Sequence, residues 1–103
     1  MSRLAAARYA ADGIRVNVIA PGLIDTPMAR RAVEDKAIGE FLHTKQPLVR
    51  GPGRAEDCGA AAAFLCSDDA RLVTGVVLPV DAGWSISEGQ YGRDESARLY
   101  GRA

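Results

Sequence analysis

The chain has 103 residues, 48% of them apolar and 25% charged, and thirteen Lys plus Arg balance thirteen Asp plus Glu. That mixture argues against an intrinsically disordered chain and against a basic nucleic-acid binder. The longest apolar run, Ala60–Cys66, falls well short of the roughly 18 residues of a membrane span, and the length limits the chain to one domain.

Residues 1–11 read as the end of a helix. Met1, Leu4, Ala5 and Arg8 recur at helical spacing, Ala is the best helix former, and Gly13 stands where a left-handed residue closes the last turn before Ile14. Ile14–Ala20 is β-branched and almost continuously apolar, as expected of a strand covered on both faces, and Pro21-Gly22 breaks it. Asp25 or Thr26 then caps a helix whose first helical residue is Pro27. Helical stretches over 28–45 are charged and irregularly amphipathic, so a mobile covering element is expected there and not core. His43 is expected on its surface, and Glu34, Asp35 and Glu40 on a solvated face.

Pro47–Gly53 holds two Pro and two Gly and is a loop. Ala55-Glu56-Asp57 opens a helix with two acids at the positive end of its dipole. Its small residues, Ala60–Ala63, allow close approach to a sheet, with Phe64 and Leu65 filling space. Val76–Val80 is a second strand, and because Pro79 cannot donate to a ladder it belongs at an edge. Asp81 is expected to fix the turn that follows. From Ser85 to Ala103 the composition turns polar and charged, the mark of a surface arm or a partly disordered tail.

Alternating helices and strands imply an α/β fold with a parallel, doubly wound sheet. Two strands cannot bury such a sheet, so the fold reads as incomplete. Cys58 and Cys66 lie eight positions apart on one predicted helix, about 12 Å at about 1.5 Å per residue, too far for a disulfide. The expectation is two buried free thiols in a reducing compartment. With no apolar signal segment after Met1, that compartment is the cytoplasm. No metal-ligand spacing is present.

Three segments carry a resemblance. Gly13-Ile14-Arg15-Val16-Asn17-Val18-Ile19-Ala20-Pro21-Gly22, with Ile24 and Thr26, resembles the late strand and cofactor loop of short-chain dehydrogenases/reductases. Gly53-Arg54-Ala55-Glu56-Asp57 and Phe64–Asp68 are similar to that family's penultimate helix. Thr74–Trp84 is similar to its final strand and exit. Two departures are mild: Ala55 stands where Pro is usual, and Ala82 where Gly is frequent, which disfavours a positive φ at the strand exit.

The resemblance implies that residues 1–84 are the C-terminal part of a Rossmann-like doubly wound parallel sheet and that 85–103 are a polar tail. It implies an NAD(P)-dependent oxidoreductase acting on a secondary alcohol or ketone. NAD and NADP are not distinguished, and weak or no binding is expected from this segment alone. The cofactor-binding candidates are Pro21, Gly22, Ile24 and Thr26: Pro21 and Gly22 shape the loop, the backbone around Ile24 holds the carboxamide, and the Thr26 hydroxyl bonds to the cofactor. Alone, the same residues could form a capped strand-to-helix turn. Asn17 is expected to be structural and Arg15 solvated or paired, while Trp84 could line a substrate pocket or an intersubunit contact.

The family's Gly-rich phosphate loop has no counterpart here. Its proton-transfer pair, a Tyr with a Lys four residues on, has none either: Tyr9 is followed at that spacing by Gly13 and Tyr91 by Glu95, and Tyr100 lies near the end. No catalytic residue is assigned, and the chain alone is expected to be inactive. The family's partners are small-molecule substrates and, commonly, further copies of itself, so a homo-oligomer is expected, with no nucleic acid and no membrane. The alternative is a non-catalytic assembly or binding module that docks on a complete family member.

Overall fold

In the computed structural model, residues 1–87 are described. In chain order the elements are α1 (Ser2–Tyr9), β1 (Val18–Pro21), β2 (Ile24–Asp25), α2 (Arg30–Glu34), α3 (Lys36–Lys45), β3 (Gly53–Arg54), α4 (Ala55–Cys66) and β4 (Val77–Val80), with short 3-10 turns at Ala10–Asp12, Asp68–Ala70 and Trp84–Ile86. They divide into two compact units, one of 1–21 with 54–80 and one of 22–53 with 81–87. The tail expected over 85–103 lies outside the described residues from 88 onward.

The first unit is a parallel pair, β1 beside β4, with α4 in the connection and packed on both strands. This is the α/β, Rossmann-like arrangement read from the sequence, and it is partial. Val18 pairs with Val77 and Ala20 with Pro79, and the Val18 N–H donates to the Val76 carbonyl. Residues along a parallel strand alternate the edge to which they give their backbone groups. Pro79 therefore falls where the β1–β4 ladder needs no N–H, as its edge assignment requires. By the same alternation, Ile19 directs its backbone away from β4.

The predicted strand over Ile14–Ala20 is shorter in the structure because the segment facing its first half turns at Gly75, where φ is +77°. Side chains there supplement one remaining backbone bond, from the Gly75 N–H to the Val16 carbonyl at 2.8 Å. Thr74 Oγ1 accepts from the Val16 N–H at 3.1 Å, and the Asn17 amide donates to the Val73 carbonyl and accepts from the Val76 N–H. Asn17 is thus structural. Arg15 is not left to solvent: its guanidinium donates to the carbonyls of Leu65, Ser67 and Val73, at 2.6, 3.3 and 3.3 Å, around the C-terminal end of α4. Gly13 closes the 3-10 turn that follows α1 with φ +76°, and the Ile14 N–H reaches back to the Tyr9 carbonyl.

The buried apolar residues of this unit are Ala6, Leu65 and Ala70. Phe64, expected to fill space beside Leu65, is 48% exposed, since adjacent helical positions point about 100° apart. The same geometry corrects the expectation for the thiols. Both cysteines are free, but Cys66 at the helix end is exposed and Cys58 only half-buried.

The second unit departs further from expectation. The helix does not begin at Pro27. The Ala29 N–H is taken by the carbonyl and the hydroxyl of Thr26, making a turn, and α2 begins at Arg30. The chain breaks again at Asp35, whose carboxylate accepts from the Ala37 and Ile38 N–H groups and caps α3. The 28–45 stretch is also not merely a cover, because Leu42 on α3 is 0% exposed and forms the unit's core with Gln46. His43, Glu34, Asp35 and Glu40 are exposed, as expected.

Asp81 holds the turn after β4 through its carboxylate, which accepts from the Gly83 and Ser85 N–H groups at 3.1 and 3.0 Å. Desolvation pushes its pKa up, but the bonds from Ser85 and Gly83 together outweigh this and hold it below the ordinary carboxylate value. The next residue, Ala82, adopts φ +53°. Left-handed backbone costs a residue with a Cβ about 1–2 kcal/mol, and Gly returns part of that gain through a freer unfolded chain. Ala82→Gly is expected to stabilise the protein by up to about 1 kcal/mol, read as a higher urea midpoint in the fluorescence of Trp84, the sole tryptophan. An unchanged or lower midpoint would show that Ala82 carries no strain.

Candidate functional site

The four candidate residues follow one another where β1 ends. Pro21 closes β1 in the first unit, and Gly22, Ile24 and Thr26 belong to the second. Within the second unit the local frame is well determined. Ile24 lies in β2, which pairs with β3, and the Gly53 N–H donates to the Leu23 carbonyl at 2.9 Å. Gly22 is not glycine for the sake of a positive φ. A Cβ there would run into Gln46 Oε1 and lie 3.0 Å from Cα and Cβ of Asp81. The crowding comes from the protein's own atoms.

Thr26 is half-buried. Its Oγ1 accepts from the Ala29 N–H at 3.2 Å, while the Thr26 carbonyl accepts from the same N–H at 3.0 Å. The turn therefore keeps one bond without the hydroxyl, and the hydroxyl keeps its own hydrogen to donate. Asp25 does not cap a helix, because its carboxylate pairs with Arg30 Nε at 3.1 Å, an exposed pair worth little to stability.

Sequence reasoning did not single out Gln46. It stands just past α3, is 1% exposed, and its side-chain amide bonds to Leu23 and Gly51. The signal available was weak: a polar residue after His43, Thr44 and Lys45, between the expected cover and the Pro47–Gly53 loop.

Trp84 is half-buried. Its ring meets Phe41 of α3 edge-on, centroids 5.9 Å apart at 74°, with Lys45 Nζ 5.8 Å from its centroid. The Lys45 ammonium donates to the Ser87 carbonyl. Among the described residues no group of His, Cys, Asp and Glu side chains is placed to hold a metal ion, and no helix is long and apolar enough to cross a membrane.

Residues 1–85 match the family described as enoyl-(acyl carrier protein) reductase. The chain is 42% identical over 85 residues to cis-4-hydroxycyclohexanecarboxylate dehydrogenase from Sinomonas cyclohexanicum, covering 82% of this chain and 33% of that protein. A short-chain type dehydrogenase/reductase from Mycobacterium ulcerans superposes with a TM-score of 0.80 at 35% identity, over 98% of this chain and 36% of that one. A 4-hydroxyisoleucine dehydrogenase complexed with NADH superposes with a TM-score of 0.77 at 31% identity, over 82% and 34%. The chain thus spans about a third of the length of the proteins it matches.

Proposed function

The chain belongs to the short-chain dehydrogenase/reductase family, and we propose that it is the C-terminal segment of an NAD(P)-dependent oxidoreductase acting on a secondary alcohol or ketone. In this reading, Pro21, Gly22, Ile24 and Thr26 form the nicotinamide side of the cofactor site. The observation that carries it is the state of Thr26, a half-buried hydroxyl with an uncommitted hydrogen, three residues after the Leu23 backbone fixed by Gln46. The structural neighbour that holds NADH supports the choice of ligand.

When bound, the cofactor supplies the hydride. The residues of this chain do the rest on that side. Leu23 and Ile24 present a backbone whose direction is set by β3 and Gln46. Thr26 offers a hydrogen-bond donor. Gly22 lets the chain pass Gln46 and Asp81 without a side chain of its own.

Calorimetric titration of cofactor into the chain, joined to an upstream portion that completes the length of its relatives, tests this. Thr26→Ala is expected to weaken binding by about 0.5–1.5 kcal/mol, the net value of one neutral hydrogen bond. Thr26→Ser is expected to cost less because the hydroxyl stays, and Asp25→Asn to be near neutral. The turn's backbone bond to Ala29 survives all three substitutions, so a loss confined to Thr26→Ala reports on the ligand. Equal binding by Thr26→Ala and the parent would reduce the segment to a structural turn.

A second reading, a module that docks on a complete family member, draws on the other edge of β1. There the backbone of Ile19 faces away from β4, beside an open groove of about 670 Å³ lined by Val16, Ile19, Ala62 and Leu65, among others. Binding to such a partner, with no gain of activity on upstream extension, would favour it.

A further inference from the structure

The Gln46 side chain does for Leu23 what a neighbouring strand would do. Oε1 accepts from the Leu23 N–H at 2.6 Å, and Nε2 donates to the Leu23 carbonyl at 3.3 Å and to the Gly51 carbonyl at 2.7 Å. Both amide hydrogens and the amide oxygen are used. The orientation of the amide is forced, since a flipped group would set NH₂ against an N–H and its oxygen against two carbonyls. The residue is 1% exposed, and its own backbone is held at both ends, N–H to the Leu42 carbonyl and carbonyl to the Arg50 N–H, each at 2.8 Å. A buried amide with every bond made is rigid, and one missing partner is costly.

We propose that Gln46 is a positioning residue for cofactor binding: its amide fixes the Gly22–Leu23 backbone and thereby aims Ile24 and Thr26 at the nicotinamide. The proposal rests on the reading of Gly22–Thr26 as a cofactor loop. It also explains why residue 22 is glycine, since the space a Cβ would take is filled by Gln46 Oε1. Gln46 thus links the end of α3 to the loop, so that the segment read as a cover helps to define the site.

The test uses the chain itself with two substitutions of similar volume. Gln46→Met removes all three bonds. Gln46→Glu keeps an acceptor for the Leu23 N–H but turns a carboxylate toward two carbonyls at neutral pH. Hydrogen exchange is read at Leu23 and Ile24, with α4 amides as the internal reference. Gln46→Met is expected to lower protection at Leu23 by about tenfold, the equivalent of one net hydrogen bond, with α4 unchanged. Gln46→Glu is expected to resemble Gln46→Met at neutral pH and to recover toward the parent in acid, where its carboxyl can donate. Loss of packing alone would give no such recovery. In parallel, with the chain joined to the upstream portion that completes the length of its relatives, saturation transfer from protein to the nicotinamide protons of NADH is expected in the parent and is expected to be lost in Gln46→Met.

Unchanged Leu23 protection in Gln46→Met would overturn the proposal, and so would lost protection with undiminished transfer. Absent transfer in the parent would count against the cofactor reading. The exchange data, which involve no ligand, would then decide the clamp on their own.

Discussion

Purified chain mixed with NADH or NADPH and a panel of ketones is expected to give no oxidation above the blank. Reducing a carbonyl by hydride requires a proton at the oxygen, and a positioned donor contributes about 10²–10⁴-fold. The resemblance assigns that task to a Tyr with a Lys four residues on, and none of Tyr9, Tyr91 and Tyr100 has such a partner. Tyr9, the one within the described residues, is 41% exposed at the end of α1, with the Arg8 guanidinium 5.8 Å from its ring centroid. Turnover that persists through purification and scales with this protein would refute the prediction and require a different proton donor.

Gly22→Val is expected to be the most damaging single substitution in the second unit. The added carbons meet Gln46 Oε1 and the backbone Cα of Asp81. A flexible side chain could yield, but Gln46 is fully bonded and buried, and a backbone atom cannot move alone. Overpacking of this kind costs about 1–3 kcal/mol, and displacing Gln46 adds an unsatisfied buried amide. Urea unfolding followed through Trp84 would show a midpoint well below the parent, with Gly22→Ala between the two. A parent-like midpoint would mean that the loop relaxes without cost. Because the clash is internal, weak cofactor binding by Gly22→Val is no proof of a cofactor site, and the Thr26 series is the cleaner probe.

Much of the first unit was legible in the sequence because its signals are local. Alanine content, Gly13 and Ile14 mark α1 and its end, and Pro79 marks an edge. The overestimate of β1 has a physical cause. β-branched residues at Ile14 and Val16 give extended backbone, but a ladder needs a partner, and the chain opposite turns at Gly75. In the second unit the deciding interactions join residues far apart in sequence. Thr26 captures the Ala29 N–H before a helix can start at Pro27, and Gln46 finds its partner at Leu23, 23 positions away. A polar residue in a polar segment gives no sign that it will be buried. Ala82 is the converse case. The resemblance marked the position as one where glycine is frequent, and the structure puts a Cβ at φ +53°.

The way the chain divides has a consequence for how it comes together and how it can vary. The first unit is assembled from two stretches, 1–21 and 54–80. The bonds that join them, Arg15 to Leu65 and Asn17 to Val76, span 50 and 59 positions. During synthesis the first stretch must wait for the last, so this unit forms late and its non-local pairing slows folding. Once formed, it is indifferent to the length of what lies between, because doubling a connecting loop costs only about 0.6 kcal/mol. The excursion over 22–53 is therefore a place where residues can be inserted, deleted or replaced at little expense to the β1–β4 pair.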